Sequence, residues 1–378
     1  MKQEKLPQGF RDSYGQQAWR KSKVSQAVMS LLAERGYTRI ETPLVEYESV
    51  FSSYELNEAQ GTYRFYNGKN ETLVLRPDLT LPIARFLTTN AIDLPNRFCY
   101  LGDLFAIKKE HAGERNQMTQ AGVELVGFAS RKAELECLCL MNLISRQFLQ
   151  GQAQIELSHA ELVDVILDSI SMDKSSQNTI KQALFNKNIP AYEACIAPYE
   201  MTVIYPFLQE WPFLFGSLEE VTSTLEKVAL PPQAEAIIKE ILQLAKQVAL
   251  LPDQEVRIDL SCQAPQDYYT GLVFKAYVDG LSEYIMSGGR YDKLLANFKE
   301  EPEKAVGMGL DIDLLTSLVQ VDMDADVNGY IYFTDATWTD ALALMETYPN
   351  YKLALTESLE KAKKQAQDAG LPLLIAGE

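Results

Sequence analysis

Histidine and cysteine side chains carry much of the nucleophilic and metal chemistry of proteins, and this chain has few of them. It contains two histidines, His111 and His159, and neither lies near cysteines, aspartates or glutamates at a spacing typical of metal ligands. The same scarcity argues against a catalytic triad built on histidine. We therefore expect no metal site and no cofactor.

The cysteines lead to the same expectation. Their number is odd, and their spacing matches neither a disulfide framework nor a zinc finger. Cys137 and Cys139 lie in a segment with the apolar pattern of a buried helix, so we expect them to pack rather than to bind a metal. The full set is Cys99, Cys137, Cys139, Cys195 and Cys262.

The overall charge argues against a chain that grips nucleic acid. The formal net charge is −17 over 378 residues, whereas a protein that binds a phosphate backbone normally presents a concentrated basic face. No stretch has the roughly 18 uncharged apolar residues of a membrane helix, and residues 1–7 contain no signal-like apolar core. We therefore expect a cytoplasmic protein that does not bind membranes.

The elements that would position a site begin with a helix and a hairpin. Apolar residues recur at three- and four-residue steps from Gln16 to Arg35, which predicts an amphipathic helix that ends at Gly36. Residues 62–66 and 71–76 have the pattern of two strands joined through Asn67-Gly68. We expect the Asn-Gly pair to supply the positive φ of a tight turn.

One long helical stretch interrupts a series of strands. Residues from about 160 to 248 show helical periodicity with few strand signals, which predicts a helical insertion within one domain, residues 1–320. Around it we predict helices at 80–91 and 131–150, strands at 96–109, 117–127, 152–158, 255–261, 268–278 and 283–292, and a strand that runs into a helix at 306–319.

The tail has a different organisation. After an acidic linker at Asp322–Asp326, residues 327–378 follow a β-α-β-α-β order, which predicts a small domain with a parallel sheet. Residues 322–378 contain ten acidic residues and four lysines, a net charge of −6. A net negative charge disfavours binding of this segment to RNA.

Several segments, in order, resemble the catalytic domain of class II aminoacyl-tRNA synthetases, and most closely histidyl-tRNA synthetase, over residues 5–320. The helix through Arg35, with Pro43 after it, resembles the dimer-forming first motif. The resemblance implies an α+β fold in which an antiparallel sheet has flanking helices, a helical insertion and a small α/β C-terminal domain. The other segments are LPQGFRD, LRPDLT, YLGDLFAIKKEHAGERNQMTQAGVE, DYYTGLVF, and SGGRYD with VGMGLDID.

Adenylate formation needs fixed cations, because attack of a carboxylate on the α-phosphate of ATP develops negative charge. Arginine is the usual donor, since its planar fork holds phosphate oxygens bidentately. Where the family pattern has three such arginines, this chain has Ala106, Ala264 and Ile312. Lys108 and Lys109 lack the fork geometry. Loss of one such donor costs roughly 3–4 kcal/mol, so the resemblance implies a catalytically dead site.

The positions that match the family's histidine pocket keep polar and aromatic groups. By resemblance, two of them would bind the ligand's amine, although the family more often has Glu where Asp78 stands. Gln120 would contact the polar backbone of the ligand, Glu124 would accept an imidazole N–H, and the tyrosines would line the ring. The candidate histidine-binding residues are Asp78, Thr80, Gln120, Glu124, Tyr268, Tyr269 and Tyr291.

The candidates also have structural interpretations. Gln120 and Glu124 lie on a β-rich stretch, where they could simply satisfy neighbouring polar groups. Tyr268 and Tyr269 are predicted in a strand, where adjacent side chains point to opposite faces, so we expect only Tyr269 to face the pocket. Arg290 is interpreted as a structural partner of a carboxylate and is not among the site candidates.

A pocket that binds histidine without activating it would suit a sensor. In this respect the chain is similar to the family of regulatory subunits that work with a short-form ATP phosphoribosyltransferase in the first step of histidine biosynthesis. The resemblance implies a non-catalytic chain that forms a self-dimer, docks to the catalytic subunit in a hetero-octamer, and conveys histidine feedback. The alternatives are a divergent histidyl-tRNA synthetase, which would need a basic surface for tRNA, or a stand-alone histidine- or RNA-binding paralogue.

Overall fold

The computed structural model forms two compact units, residues 1–319 and residues 320–378. Each unit is described by itself below. The structure describes residues 5–52, 60–90, 92–108, 115–170, 172–298, 302–319 and 327–378.

Helices dominate the middle of the first unit and flank the sheets elsewhere. Their bounds are α1 (Gln16–Glu34), α2 (Thr80–Thr89), α3 (Lys132–Phe148), α4 (Leu162–Asp168), α5 (Lys174–Phe185), α6 (Ile189–Ile196), α7 (Tyr205–Glu210), α8 (Leu218–Leu225), α9 (Pro232–Val248), α10 (Ile312–Leu318), α11 (Trp338–Thr347) and α12 (Leu359–Asp368).

Most strands fall before and after the helical middle of the chain, which contains only the short strand β10 among the described residues. Their bounds are β1 (Thr38–Arg39), β2 (Val45–Tyr47), β3 (Gln60–Gly61), β4 (Arg64–Tyr66), β5 (Thr72–Leu75), β6 (Asn96–Phe105), β7 (Ile107–Lys108), β8 (Gln117–Val126), β9 (Gln154–His159), β10 (Phe215–Ser217), β11 (Glu255–Asp259), β12 (Leu272–Tyr277), β13 (Met286–Arg290), β14 (Ala305–Asp311), β15 (Gly329–Tyr332), β16 (Tyr351–Leu353) and β17 (Leu373–Ile375).

One large sheet organises the first unit. Its strand order is β1-β6-β8-β14-β13-β12-β9-β11-β10. The neighbours from β6 to β9 in this order are antiparallel, whereas β1 pairs with β6 and β11 pairs with β9 in parallel. The predicted antiparallel sheet is thus confirmed at its centre, and the sheet as a whole is mixed.

Helix α1 confirms the prediction made from its apolar spacing. Val24, Val28 and Leu32 recur every four residues, and each is 1% exposed, so one face of the helix is buried as the pattern requires. The chain leaves the helix through Gly36 at φ 79°, a left-handed conformation that glycine adopts without steric cost.

The predicted hairpin is present, but its positive φ lies elsewhere than expected. Strands β4 and β5 pair antiparallel, and the loop residue with positive φ is Asn70, at 59°, not Gly68. The Asn67 side chain explains this difference, because its oxygen accepts the backbone N–H groups of Lys69 and Glu71. The turn is therefore closed by a side chain, and the left-handed residue falls at its end, where Asn is tolerated.

The stretch predicted to be helical, about 160–248, contains helices α4 to α9 and the short strand β10. Trp211 and Phe207 are fully buried there, with ring centroids 5.7 Å apart. Helix α9 packs against β9 and β11, which anchors the insertion on the large sheet. Of the two cysteines predicted to pack in a buried helix, Cys137 of α3 is fully buried, whereas Cys139 of the same helix is half-buried.

The second unit has the predicted parallel order. Strand β15 pairs in parallel with β16 on one side and with β17 on the other. Ile331 packs in a cluster with Ala341 of α11, and Tyr330 packs in a separate cluster with Ala362 of α12. Because adjacent strand residues face opposite sides, the two helices cover opposite faces of this sheet. Across the described residues, the helices of the two units include none that could cross a membrane.

Candidate functional site

Two strands of the large sheet, β8 and β14, form the floor of a cavity. Gln120 and Glu124 lie four residues apart on β8, so their side chains share one face. Gly307 of β14 lies opposite Glu124 in the antiparallel register, and a Cβ on Gly307 would collide with the Glu124 carboxyl group. A Cβ on Gly309 would come within 2.8 Å of Gln120 Cδ. The glycine-spaced strand therefore makes room for both polar side chains.

The cavity brings all of the sequence-predicted pocket residues together. It is a narrow cavity of about 40 Å³ that is partly open to solvent. The predicted residues that line it are Asp78, Thr80, Gln120, Glu124, Tyr268, Tyr269 and Tyr291. The remaining lining residues are Tyr100, Gln266, Ser287, Gly307, Met308 and Gly309.

Glu124 is the most deeply buried carboxyl group of the cavity, at 1% exposed. The Thr80 hydroxyl donates to its Oε1 at 2.9 Å, and the Tyr291 hydroxyl donates to its Oε2. Burial raises the pKa of Glu124 to about 8, although both hydrogen bonds oppose the shift. With these partners alone the carboxyl group is largely protonated near neutral pH. A cation or an N–H donor placed beside it would favour the charged form.

Asp78 lies just before α2 and accepts two hydrogen bonds. The Leu81 backbone N–H donates to Oδ1 at 2.8 Å, and the Tyr268 hydroxyl donates to Oδ2 at 3.3 Å. Burial raises the pKa of Asp78 to about 6, and these hydrogen bonds oppose the shift. Above that pH Asp78 is a carboxylate, which the N-terminus of α2 also favours. It can therefore pair with an ammonium group.

The prediction that only Tyr269 faces the cavity is wrong. Tyr268 and Tyr269 both line it, because they lie in the turn before β12 and not in a strand. The alternation of side chains along a strand does not apply there. The rings of Tyr268 and Tyr269 have centroids 5.0 Å apart, and Tyr268 meets Tyr291 edge-on at 5.8 Å. Together the three rings form an aromatic wall.

Arg290 precedes Tyr291 and pairs with carboxylates, as its structural interpretation predicted. Its Nη2 donates to Glu134 Oε2 at 2.6 Å, and its Nη1 donates to Asp292 Oδ1 at 3.1 Å. Only 12% of its side chain is exposed. This ion pair joins α3 to β13 and holds the backbone next to Tyr291.

Sequence analysis missed three polar residues of the cavity, Tyr100, Gln266 and Ser287. The Tyr100 hydroxyl donates to Gln120 Oε1 at 3.4 Å. Ser287 lies four residues before Tyr291, so strand alternation could have placed it on the same face. No local pattern pointed to Gln266, which lies in a loop.

The positions that match the family's arginines hold no cation. Ala106 follows β6 and Ala264 lies in the loop before the two tyrosines, and both are half-buried. Ile312 begins α10 and is fully buried. Lys109 and the side chain of Lys108 lie outside the described residues. Therefore none of the three matching positions carries an arginine whose charged fork could bind a phosphate.

Aspartates near these positions are bonded within the protein. Asp313 accepts the Thr119 backbone N–H at 2.8 Å and pairs with Lys21 at 2.8 Å and with Arg115 at 3.8 Å. Asp103 accepts the Thr119 hydroxyl. Lys21 and Arg115 are thus both paired with the Asp313 carboxylate.

The chemistry that the cavity supports is recognition of a polar, positively charged small molecule. Two buried carboxyl groups supply acceptors, the amide of Gln120 supplies donors and an acceptor, and the tyrosines supply apolar faces and hydroxyls. Within the described part of the chain, no group of three or more His, Cys, Asp or Glu side chains could hold a metal ion. His111 lies outside that part.

Comparison with known proteins decides the family. The sequence model of the histidyl-tRNA synthetase family matches residues 9–315. A regulatory subunit of ATP phosphoribosyltransferase from Limosilactobacillus fermentum is 44% identical over 100% of this chain and 98% of its own length. One from Lactiplantibacillus plantarum is 41% identical, over 98% of this chain and 96% of its own. The chain belongs to the family of ATP phosphoribosyltransferase regulatory subunits.

Solved structures show that this regulatory-subunit family shares the synthetase fold. An ATP phosphoribosyltransferase regulatory subunit/histidyl-tRNA synthetase from Bacillus halodurans matches with a TM-score of 0.82 at 24% identity, over 100% of this chain and 98% of that one. A histidyl-tRNA synthetase from Nostoc matches with a TM-score of 0.74 at 18% identity, over 97% of this chain and 90% of that one. The predicted class II synthetase-like fold is confirmed.

Proposed function

We propose that this chain is the non-catalytic regulatory subunit of a short-form ATP phosphoribosyltransferase, that it acts in the first step of histidine biosynthesis, and that it binds histidine as a feedback signal. Family membership supports the regulatory role. One structural observation supports histidine as the ligand. Buried carboxyl groups and tyrosines converge in one cavity, while the positions that would activate a bound amino acid hold Ala106, Ala264 and Ile312.

The residues of the cavity suggest how histidine would be held. The ammonium group would pair with Asp78 and Thr80 at the start of α2. The imidazole would lie between the tyrosine rings and donate an N–H to Glu124, whose ionised form would then be favoured. Gln120 would contact the polar backbone of the ligand. Since Glu124 is largely protonated without such a donor, binding near neutral pH would release a proton.

The proposed assembly contains the catalytic subunit named by the relatives. We expect a self-dimer of this chain, docked in a hetero-octamer with equal numbers of both subunits, that works in the cytoplasm. If histidine weakens the binding of the partner's substrates, those substrates must weaken histidine binding by the same factor, typically by about 1–3 kcal/mol. This reciprocity identifies the coupling as allosteric.

The deciding experiment measures ATP phosphoribosyltransferase activity of the short catalytic subunit with and without this chain, followed by a histidine titration. We expect substantial activity only in the mixture, and histidine should change that activity. If the activity of the catalytic subunit were the same in the mixture as alone, the regulatory role would be contradicted. Formation of histidyl-adenylate by this chain alone at a useful rate would favour a divergent synthetase.

A matched pair of variants tests the cavity. We expect Glu124→Gln to weaken histidine binding roughly 10- to 100-fold, because a hydrogen bond to a charged group contributes about 1.5–3 kcal/mol. Glu161→Gln removes a carboxylate that pairs with Lys293 on the surface at 3.2 Å, and it should leave the affinity unchanged. Calorimetric titration of both variants measures the difference, and equal affinities would place the ligand elsewhere.

A further inference from the structure

The cavity contains two carboxyl groups, Asp78 and Glu124, and none of its described lining residues is a lysine or an arginine. This set suits the ammonium and imidazole groups of an amino acid but leaves its α-carboxylate without a cation. The position that would have supplied one by family resemblance is Ala264. A carboxylate taken out of water needs a charged or hydrogen-bonding partner.

Lys275 is a buried cation on the same face of the sheet. It lies on β12 directly opposite Ser287 of β13 in the antiparallel register, and Ser287 lines the cavity. Side chains directly opposite each other on antiparallel strands share a face, with Cβ atoms about 4.5–5.5 Å apart. Lys275 is 9% exposed, so its side chain lies largely away from water, and its strand is next to the one that carries Ser287.

The Lys275 ammonium group also lies near the loop that contains Ala264, the position that matches an arginine of the synthetase family. Lys275 Nζ lies 3.5 Å from the Gln263 carbonyl oxygen, one residue before Ala264. Gln266, further along the same loop, lines the cavity. Lys275 thus lies between two parts of the cavity wall, the strand that carries Ser287 and this loop.

The contacts of Lys275 leave it able to bind another anion. Its nearest carboxylate oxygen, Glu156 Oε1, lies at 3.8 Å, whereas hydrogen bonds between ammonium and carboxylate groups are about 2.7–2.9 Å long. Glu156 also faces Lys187 and Arg257, which favour its charged form. An ammonium group has three donors, and neither contact of Lys275 has the length of a strong hydrogen bond.

Lys275 keeps its charge although it is buried. Burial alone would lower the pKa of the Lys275 ammonium group, but neighbouring groups, Cys262 first and then Tyr277 and Glu156, raise it above its ordinary value. Glu156 is the carboxylate among these neighbours, and it favours the ammonium form of Lys275.

We propose that Lys275 binds the α-carboxylate of the amino-acid ligand and supplies, from β12, the positive charge that the loop position Ala264 lacks. This inference rests on the proposed function, since it requires an amino acid in the cavity. The cation on a strand binds the ligand's carboxylate, while no arginine fork is present to stabilise a phosphate beside it.

The experiment compares two ligands that differ by the carboxylate alone. Histidine and histamine share the imidazole and the amine, and only histidine carries the carboxylate. We expect Lys275→Met to weaken histidine binding roughly 10- to 100-fold in calorimetric titrations and to leave histamine binding within about twofold of the wild type. Lys293→Met removes an exposed lysine and should change neither affinity.

The possible outcomes distinguish a failure of this inference from a failure of the proposed function. Equal weakening of both ligands by Lys275→Met would show that Lys275 only supports the fold, which would overturn the inference but leave the proposed function intact. A wild-type protein that binds neither ligand would overturn this inference and the proposed histidine binding, whereas the regulatory role is tested separately by the activity of the mixture. If Lys275→Met does not fold, Lys275→Arg replaces it. That variant keeps a charge at a shifted position and should change histidine affinity at least threefold but not histamine affinity. Parallel changes would contradict the carboxylate contact.

Discussion

The candidate cavity and the region around Thr119 and Ile312 both involve strand β8 but have opposite properties. In the cavity, Glu124 of β8 meets hydroxyl donors and tyrosine rings. In the other region, Thr119 of the same strand, whose side chain points to the opposite face of the sheet, donates its hydroxyl to Asp103 and its backbone N–H to Asp313. The arginine-matching position Ile312 is fully buried. One region keeps the polar and aromatic groups of the proposed binding site, and the other has no arginine at the matching position Ile312 that could stabilise a reacting phosphate.

This difference shows that binding and activation depend on separable residues. Recognition of an amino acid needs acceptors and an apolar wall that exist before the ligand arrives. Activation needs cations placed where charge develops in the transition state. A chain can lose the second set and retain the first, which is the arrangement that a sensor requires.

The largest expected effect is the loss of stability when an arginine is placed at the buried position Ile312. We expect Ile312→Arg to lower the free energy of unfolding by about 3–5 kcal/mol, because it places an uncompensated charge at a fully buried position. Ala106→Arg, at a half-buried position, should cost less than about 1 kcal/mol. Chemical denaturation measures both. If Ile312→Arg were as stable as the wild type, this region would be open and the contrast with the cavity would fail.

The second prediction concerns pH. The pKa of Glu124 is raised from its ordinary value of 4.5 to about 8 in the folded chain, so the folded state holds a proton that the unfolded state has released. The resulting stabilisation is fully present below about pH 4.5 and is lost as pH rises to about 8. We expect a loss of a few kcal/mol, at about 1.4 kcal/mol per unit of pKa.

Glu124→Gln isolates this contribution. The variant should lose less stability between pH 5 and pH 8 than the wild type, while the smaller contribution of Asp78, whose pKa is about 6, remains in both proteins. Denaturation curves at the two pH values measure the difference. Identical pH dependence in the two proteins would show that Glu124 titrates normally and that the cavity is wetter than the structure indicates.

The third prediction tests the floor of the cavity. Gly307→Ala should lower stability by about 1–3 kcal/mol and weaken histidine binding, because the new methyl group would displace the Glu124 carboxyl group. Gly68→Ala is the matched control, since no atom lies within 4 Å of a Cβ at that hairpin position. It should be nearly neutral in both assays. Retention of full histidine affinity by Gly307→Ala would remove Glu124 from the binding site.

The smallest expected effect lies in the region around Thr119 and Ile312. Asp313→Asn weakens pairs with Lys21 and Arg115, whose side chains are 32% and 35% exposed, so we expect a loss of less than about 1 kcal/mol. Histidine affinity should not change. A marked loss of histidine binding in this variant would show that the two regions act as one unit, and that the comparison between them is wrong.

Local sequence patterns were sufficient to predict much of the fold. The spacing of Val24, Val28 and Leu32 predicted α1, because a helix with that repeat must bury one face. The order of elements in the tail predicted its parallel sheet. The hairpin was found but the conformation of Gly68 was not, since the Asn67 side chain closes the turn and moves the left-handed residue to Asn70.

For the candidate site, the sequence by itself determined the residue types, the absence of three arginines and, through family resemblance, the positions to examine. Only the tertiary structure decided that Asp78, Glu124 and Tyr291 meet in one cavity, that Tyr268 and Tyr269 both face it, and that Lys275 lies opposite Ser287 on the neighbouring strand. The physical reason is that these neighbours are set by cross-strand register, loop conformation and burial. Those properties arise between segments far apart in the chain, so no local spacing encodes them.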